Sequence, residues 1–468
     1  MANGKTLADK KKFGLPHIYA LLFIIIAVCT IATWILPAGE FERVVNEAGR
    51  TVVVPGTFHV VERTPVGLFE MFKQIYTGTC NAADVTMFVF ISYASINIII
   101  SSGAFNGLVA VLLKLLKGKA RLAIIPIFMA LVGTASSTIG LFEEWFPFVP
   151  VFVGISIAMG YDAVVGMAIV ALGAGMGYSG ATINPFTVGV AKGIAEVAPG
   201  SGFFFRILCH ACMLVVASIL TMRYASKVAA DPTKSLVYGD DFGDLAMSEE
   251  SVHNAPFGIR EALILIILGA GIGVVVYGCG TYGWYFTELS AVFMIMGILS
   301  GIIMGLNINE IAKKFEQGFI AVAMPCMMIG IARGILMILQ AGTIIDTVVY
   351  YMSLPLAAFP AWFCGVAMLV MQTLLNFLIP SGSGQAATSM PIMAPLADLL
   401  GVTRDTAVLA FQFGDGLSNC LWPTASVAII AGLAGVKVEK WWKFFIPVFM
   451  GVFVTQALLM VLAVTIGL

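Results

Sequence analysis

The chain has 468 residues, of which 60% are hydrophobic and only 11% are charged. Soluble globular proteins carry about 25% charged residues, so this composition excludes a soluble domain and indicates an integral membrane protein. A formal net charge of −1 gives no electrostatic basis for a nucleic-acid partner. We therefore expect a multi-pass protein whose partners are the lipid bilayer and a small-molecule substrate.

The apolar run 14–39 predicts the first membrane span, because it is too long for the core of a cleavable signal peptide. Positive charge favours the cytoplasmic side of a membrane, which places the N-terminus in the cytoplasm. The lysines that carry this argument are Lys5, Lys10, Lys11 and Lys12. Residues 40–80 are then an outer loop, and residues 223–260 a cytoplasmic linker.

The stretch from Asn376 to Gln385 interrupts a charge-free run that is long enough for two membrane passes. Pro380 removes a backbone donor, and alternating serines and glycines loosen the helix. In hydrocarbon a broken backbone is tolerated only where protein covers it or where it lines a watery cavity. We predict a re-entrant hairpin, with a kinked packing helix as the alternative. Its candidate substrate-binding residues are Asn376, Ser381, Gly382, Ser383 and Gln385.

A second polar interruption follows in the same half, where a carboxylate stands between two glycines in apolar sequence. An ionisable residue inside a membrane segment is expensive, so it is a functional candidate by default. The segment predicts a broken helix that faces the hairpin tip. Its candidate residues are Asp415, Ser418, Asn419 and Thr424.

The first half of the chain has a similar pair of features. Adjacent carboxylates follow a Ser/Thr-rich segment, which predicts a hairpin tip, with a solvated loop between ordinary helices as the alternative. Further along, glycines and a proline interrupt the charge-free run 163–191. The candidate residues here are Ser136, Ser137, Glu143, Glu144, Asn184 and Thr187.

An internal repeat relates the two halves at an offset of 239 residues. The offset aligns Gly175 with Gly414 and Gly177 with Gly416, and it aligns the first predicted hairpin tip with the second. Gly/Pro-interrupted segments at corresponding places in two halves indicate the binding site of a secondary transporter.

These motifs together resemble the YfcC-like branch of the four-carbon dicarboxylate anaerobic carrier family, within the ion transporter superfamily. They comprise Trp34–Glu40, Glu143-Glu144, Gly175–Gly177, Asn184–Thr187, Ala332–Ile335, Asn376–Gln385 and Gly414–Asn419. The resemblance implies an all-α polytopic protein of the bacterial cytoplasmic membrane. It implies two inverted repeats with re-entrant hairpins and discontinuous helices, a scaffold that forms a homodimer, and an elevator-type transport domain.

The chain divides accordingly into six predicted parts. They are 1–80 (first span and outer loop, scaffold), 81–225 (repeat 1 with the first hairpin), 226–257 (cytoplasmic linker), 258–317 (scaffold spans), 318–436 (repeat 2 with the second hairpin) and 437–468 (last span).

The intramembrane charges bear on the substrate. A basic amino acid needs a carboxylate for its side chain and a cation or helix N-terminus for its own carboxylate. Glu143, Glu144 or Asp415 would serve the first need, and Arg333 the second, with Arg206 as a further cation. A structural ion pair of Arg333 with Asp346 or Glu143 is the alternative. We predict a transporter of the arginine/ornithine type, with a di- or monocarboxylate carrier as the alternative.

The sequence is compatible with more than one mode of coupling. The related dicarboxylate/sodium branch has Ser-Asn-Thr at its hairpin tips, whereas this chain has Ser381-Gly382-Ser383. Sodium near Ser137, Asn376 and Asn419, proton coupling and exchange are all compatible with the residues. No other cofactor or metal is predicted.

An enzyme is disfavoured. Asp162 and Asp415 resemble the two aspartates of intramembrane aspartyl proteases, but Gln412 stands where that motif needs a glycine. Asp162 also lies at a predicted helix start, as an ordinary cap would. Two further patterns have structural interpretations: Cys209–Cys212 as helix-packing residues, and Trp441-Trp442 as an interfacial belt before a last span at 444–468.

Overall fold

Helices form most of the structure, a computed structural model that describes residues 16–45, 51–54, 56–115, 118–245 and 257–468. The first half contains α1 (Ile18–Ile35), α2 (Leu68–Asn81), α3 (Ala83–Ser101), α4 (Ala104–Leu115), α5 (Ile124–Thr138), α6 (Val149–Ala158), α7 (Ala163–Ser179), α8 (Val188–Ala195) and α9 (Phe203–Ala230). The second half contains α10 (Ile259–Tyr282), α11 (Phe286–Ile303), α12 (Ile308–Ala341), α13 (Ile345–Ser353), α14 (Ala361–Leu378), α15 (Gly382–Leu399), α16 (Arg404–Ser418), α17 (Val427–Leu433) and α18 (Val438–Ile466).

Within the described ranges, eight helices are long and apolar enough to cross a membrane. The centre of the molecule is formed instead by two shorter helices, α7 and α16. Every residue of α7 is buried, and so is every residue of α16 except Arg404. Because these two helices are covered by protein on all sides, they are free to carry polar groups that lipid would reject.

The offset of 239 residues is also present in the helix boundaries. Added to the bounds of α5, α7, α8 and α9, it falls on α14, α16, α17 and α18 to within a single turn. The equivalent helices α7 and α16 cross with Gly175 beside Cys420 and Ser179 beside Gly416. Numbers that rise along one helix therefore fall along the other, and the two helices run antiparallel. The repeats are inverted, as the resemblance implied.

The long helix α12 shows the same inversion. Its equivalent in the first half is α2 followed by α3, and these two helices lie end to end along it. Gly318 of α12 contacts Ala94 of α3, and Gly330 contacts Thr79 of α2, so the pair is again antiparallel. Small residues at these contacts let the backbones approach closely, which is how helices pack in a membrane.

Each repeat contains one hairpin and one interrupted helix. The first hairpin is α5, a tip at 139–142, a short 3₁₀ turn at Glu143–Phe148, and α6; the second is α14, a tip at 379–381, and α15. The breaks lie between α7 and α8 and between α16 and α17, at Pro185 and Pro423. Proline offers no N–H to continue a helix. Both predicted hairpins are confirmed, and neither the kinked-helix nor the plain-loop alternative is correct.

The predicted outer loop contains two small antiparallel strand pairs. They join β1 (Gly39–Glu40) to β4 (His59–Val60) and β2 (Arg43–Val45) to β3 (Thr51–Val53). Arg43 forms an ion pair with Asp346 of α13 at 2.8 Å. This pairing corrects the alternative in which Asp346 neutralises Arg333.

Several boundaries differ from the expected ones. Helix α9 continues to Ala230, so the predicted linker 223–260 begins inside a helix, and residues 246–256 lie outside the described part. The sequence predicts the next two spans at Ala262–Thr287 and Leu289–Asn309, but the break between them lies at 283–285, because Gly283 adopts a left-handed conformation with φ of 65° and ends α10. The lysines used to orient the N-terminus lie outside the described residues.

Trp441 differs from an exposed residue of an interfacial belt, because protein covers it. Helix α18 begins at Val438, and Trp441 is completely buried within its first turns. Its indole Nε1 donates to the carbonyl of Cys420 at 2.9 Å, at the second helix break. The neighbouring Trp442 donates in the same way to the carbonyl of Leu421 at 2.8 Å. The two rings therefore support the break.

Candidate functional site

The first hairpin tip packs against the first helix break through serine hydroxyls. Ser137 Oγ donates to the carbonyl of Gly180 at 2.9 Å, and the Ser137 carbonyl accepts from the Thr182 N–H at 2.9 Å. Ser136 Oγ donates to the carbonyl of Leu141, on the other side of the tip. Both serines are buried. They satisfy the carbonyls that the turn and the break would otherwise leave without partners.

Asn184 shapes the first break itself. Its side-chain Oδ1 accepts from the N–H groups of Phe186 and Thr187, at 2.8 and 3.3 Å. Its Nδ2 donates to the carbonyl of Ser136 at 3.4 Å. Asparagine side chains commonly imitate a backbone turn in this way. Asn184 therefore holds the break and the tip together, and both ends of its amide are occupied.

The second hairpin tip packs against the second break in a corresponding manner. Asn376, which the offset relates to Ser137, donates from Nδ2 to Asp415 Oδ1 at 2.8 Å. Thr424 Oγ1 donates to the carbonyl of Phe377 at 2.8 Å. Asn376 and Asp415 are both 0% exposed. The second half thus places the carboxylate of Asp415 where the offset gives Met176 in the first half.

A chain of amides stiffens the second hairpin. Gln385 Nε2, near the start of α15, donates to Gln372 Oε1 of α14 at 2.7 Å. Gln372 Nε2 in turn contacts the hydroxyl of Ser389 at 3.0 Å. Ser381 caps α15 by accepting from the Gly384 N–H at 3.4 Å. These contacts tie the two arms of the hairpin together.

The two halves meet between α16 and the first break. Gln412 Nε2 donates to the carbonyl of Tyr178 at 2.6 Å and to Thr187 Oγ1 at 2.8 Å. Gly382, at the second tip, lies against Thr187 and Asp415: a β-carbon on it would be 3.1 Å from Asp415 Oδ2. The tip of one repeat therefore reaches the helix break of the other.

Oxygen atoms without hydrogen-bond donors collect around this meeting point. Buried polar groups are normally paired, so a set of unpaired ones calls for an explanation. Among the described residues, the buried oxygens at the hairpin and helix crossing that lack a partner are Ser179 Oγ, Asn376 Oδ1, Gln385 Oε1, Gln412 Oε1 and Asp415 Oδ2. No cationic side chain forms an ion pair with Asp415 in that part of the chain. The site is therefore suited to a proton, a cation or a hydrogen-bonding solute.

A small cavity of about 70 Å³ adjoins the second tip and the second break. Its charged lining residues are Glu143 from the first hairpin and Arg333 from α12, and its other polar lining includes Thr424 and Ser426. In the described part of the chain, Arg333 makes no hydrogen bond and no ion pair within 4 Å. The cavity thus presents one carboxylate and one guanidinium from opposite halves.

Some predicted site residues have other roles. Glu144 is buried beside Glu143, and its Oε2 accepts from the Phe142 N–H at 2.8 Å, so it caps the 3₁₀ turn. Ser418 Oγ bonds back to the carbonyl of Gly414 at 2.6 Å within α16. Ser383 is exposed on α15. Asn419, 7% exposed, accepts the Val427 N–H through its carbonyl and so helps to close the break.

One basic and one acidic candidate, Arg206 and Asp162, lie away from this site. Arg206 is fully buried and pairs with Asp405 at 3.0 Å, which makes it a structural residue. Asp162 caps α7 through the Val165 N–H at 3.1 Å. Because Asp415 lies level with the end of α7, a whole helix length of roughly 25 Å separates the two aspartates. This geometry rules out an aspartyl-protease dyad.

Sequence reasoning predicts Gln385 but misses Gln372 and Gln412. Both are 0% exposed and make several of the contacts that join hairpins and halves. In the sequence Gln412 stands out only as a departure from a protease motif. The signal was present, since an uncharged amide inside an otherwise apolar helix needs a partner as surely as a carboxylate does.

Comparison with known proteins gives full-length relatives. An uncharacterized protein of Haemophilus influenzae is 30% identical over 97% of this chain and 98% of its own. The putative basic amino acid antiporter YfcC of Escherichia coli is 29% identical over 92% of this chain and 93% of its own.

Two solved structures are similar over nearly the whole chain. MtrF of Neisseria gonorrhoeae, described with a class of antimetabolite efflux pumps, aligns at 17% identity and a TM-score of 0.46, covering 97% of this chain and 96% of its own. The YdaH transporter of Alcanivorax borkumensis aligns at 14% identity and a TM-score of 0.47, covering 97% and 99%.

The family assignment depends on the sequence. The family model of the C4-dicarboxylate anaerobic carrier, DcuC, matches residues 15–465, which is nearly the entire chain. The two relatives above align over similar lengths of the chain. The chain is a multi-pass membrane transporter that belongs to the C4-dicarboxylate anaerobic carrier family of bacteria.

Proposed function

We propose that the protein is a secondary active transporter of basic amino acids of the arginine/ornithine type, working by exchange or by ion coupling. The observation that carries this proposal is the pair of opposite charges on one cavity, Glu143 and Arg333. A basic amino acid has a cationic side chain and an anionic carboxylate, so each end finds an opposite charge there. The name of the Escherichia coli relative, a putative basic amino acid antiporter, supports the same substrate class.

The unpaired state of Arg333 adds weight to this assignment. Leaving a charge partly buried without a partner is costly, and proteins normally avoid it. Arg333 makes no ion pair in the described chain, although Glu143 lines the same cavity. A solute carboxylate would supply the bidentate partner that a guanidinium prefers. The cost is then recovered when the solute binds.

We further propose an elevator-like alternating-access mechanism. A cavity of about 70 Å³ is smaller than the several hundred Å³ of ordinary ligand pockets, so a solute needs the surrounding elements to separate. The hairpins are internally tied, by the Ser136 and Gln385 contacts, while each packs on the break of an interrupted helix. Such units would move as rigid bodies against α12. We propose that the scaffold is homodimeric and that the chain divides into the six parts given above.

Coupling is proposed to involve Asp415. Its Oδ2 and the Oδ1 of Asn376 are buried oxygens without donors. A proton on Asp415 would give one of these oxygens a donor, and a sodium ion would be coordinated by both. Hard cations prefer such oxygen ligands. Ser137 offers less, because its hydroxyl already serves Gly180 and Thr182. Exchange without a coupling ion is the remaining mode.

A di- or monocarboxylate carrier is the second candidate. The family description names four-carbon dicarboxylates, and Arg333 together with Thr424 and Ser426 would bind one carboxylate. The position of Glu143 weighs against it, since an ionised carboxylate on the same cavity repels an anionic solute. A protonated Glu143 would remove that objection and would make uptake proton-dependent.

Uptake into proteoliposomes tests the choice directly. Vesicles loaded with unlabelled arginine are exposed to labelled arginine, ornithine, lysine or succinate, with and without sodium and a proton gradient. We expect exchange of arginine and ornithine, and competition between them. Uptake of succinate that arginine neither stimulates nor competes with would replace the amino-acid assignment with the carboxylate one.

A further inference from the structure

A second, larger cavity opens beside the start of α1 and ends near the inner cavity that holds Glu143 and Arg333. Its volume is about 470 Å³, and it is lined by the beginning of α1 together with parts of α12, α17 and α18. We name it the vestibule. Only two described residues, Met328 of α12 and Ala428 of α17, line both cavities. Those two side chains therefore form the partition between them.

Both side chains of the partition are tightly packed in this structure. Met328 is 2% exposed and Ala428 is 3% exposed. A methionine side chain is unbranched and has several rotatable bonds, which allows it to fill an irregular gap and also to leave it. From its size alone the vestibule accommodates a solute that the inner cavity of about 70 Å³ does not.

The two helices that carry the partition are packed closely at a flexible point. Gly432 of α17 lies against Pro325 of α12: a β-carbon on Gly432 would be 2.9 Å from the Pro325 ring and 3.5 Å from Met328 Cε. Pro325 stands inside α12 and removes one backbone hydrogen bond from it. Helices bend most readily at such positions. Separation of α17 from α12 at this contact would move Ala428 away from Met328.

We propose that the vestibule is the path by which solute reaches the inner cavity, and that Met328 and Ala428 form its gate. The inference depends on the proposed function, because it names the access to that same site. Met328 is a gating residue: it decides how fast the inner cavity is reached. On this mechanism α17 opens the gate when it moves with the second hairpin.

Chemical labelling of a reporter thiol on the inner cavity tests the gate without any solute. Ser426→Cys places a thiol on the inner cavity, and Lys437→Cys places an exposed one in the vestibule. Both react with 2-aminoethyl methanethiosulfonate, and peptide mass spectrometry separates them from the eight native cysteines. We expect Met328→Ala to accelerate labelling of the inner reporter at least tenfold. Ala428→Leu, which narrows the gate from the other helix, is expected to slow it at least tenfold.

The control is Met337→Ala, a buried methionine of the same helix that lines neither cavity. It should leave the inner rate unchanged within twofold, and all variants should label the vestibule reporter alike and elute as folded protein in gel filtration. Equal inner rates in Met328→Ala, Ala428→Leu and the parent would overturn the gate. So would equal acceleration by Met337→Ala. Because labelling uses no solute, either result is separate from the outcome of the arginine exchange assay.

Discussion

Two buried aspartates on one helix provide the sharpest test of the site. Asp405 and Asp415 both belong to α16, and both are nearly inaccessible, at 4% and 0% exposed. Asp405 has a cation, Arg206, at 3.0 Å, whereas Asp415 has neutral amides, Asn376 at 2.8 Å and the neighbouring Asn419. Their replacement by asparagine preserves shape and removes charge in each case. The surroundings predict opposite consequences.

For Asp405→Asn we expect a large loss of stability. It leaves the guanidinium of Arg206 buried and uncompensated, and breaking a buried pair in this way costs about 3–5 kcal/mol. Asp415→Asn exchanges a charge-assisted hydrogen bond worth about 1.5–3 kcal/mol for a neutral one worth about 1 kcal/mol. The asparagine also relieves the desolvation of an unpaired carboxylate. The net change in unfolding free energy should therefore lie near zero.

The two variants should rank in the opposite order for their loss of transport. Asp415→Asn is expected to abolish exchange, because its side chain no longer binds a proton or a cation, whereas Asp405→Asn should retain exchange per folded molecule. Thermal unfolding in detergent and exchange in proteoliposomes measure the two properties on the same preparations. Normal exchange by Asp415→Asn, or a loss of stability equal to that of Asp405→Asn, would refute the reasoning.

Three further variants probe the binding charge, the helix crossing and the contact between halves. Glu143→Gln should abolish exchange of arginine while leaving the unfolding temperature nearly unchanged; persistent exchange would remove Glu143 from the site. Gly416→Ala places a β-carbon 2.6 Å from Ser179 Cα and should cost about 1–3 kcal/mol of stability. Gly269→Ala, which has open space around it on α10, should be neutral or stabilising by up to about 1 kcal/mol, and equal losses would contradict the packing argument. Gln412→Leu removes the donor to Thr187 Oγ1 and leaves the Tyr178 carbonyl with the Ala181 N–H alone, so unfolding should become easier by about 1–3 kcal/mol, and unaltered melting would count against this contact.

Local sequence was sufficient to predict the breaks in the helices. Pro185, Pro380 and Pro423 stand in charge-free runs, and the chain leaves the helix beside each of them. A missing N–H is a property of the residue itself, but it does not end every helix, since Pro325 stands inside α12. The breaks are predictable because serines and glycines, such as Ser381 and Gly382, accompany the proline. The offset between the halves was equally visible, since it compares the sequence only with itself. The inverted arrangement then emerged from the antiparallel crossing of α7 and α16.

Contacts between distant residues were not predictable in the same way. Arg206 and Arg333 have similar surroundings in the sequence, yet one meets Asp405 and the other lines a cavity. Trp441 lies in a pattern typical of a membrane interface, but a carbonyl freed by the second break accepts its N–H. In each case the partner comes from another part of the chain, and the position of that partner depends on the packing of the whole.

The pseudo-symmetry of the fold does not extend to the charged residues. The offset of 239 residues relates Arg333 to Ala94, Asp415 to Met176 and Glu143 to Gly382, so the two repeats supply matching backbones but unlike charges. The proposed pair of binding charges is therefore formed across the two halves. Its separation depends on how the first hairpin lies relative to α12. A solute held by both charges would favour one position of the first hairpin relative to α12, because it attracts both groups at once. The free energy of solute binding would then shift the equilibrium between positions of the hairpin, as an exchanger requires.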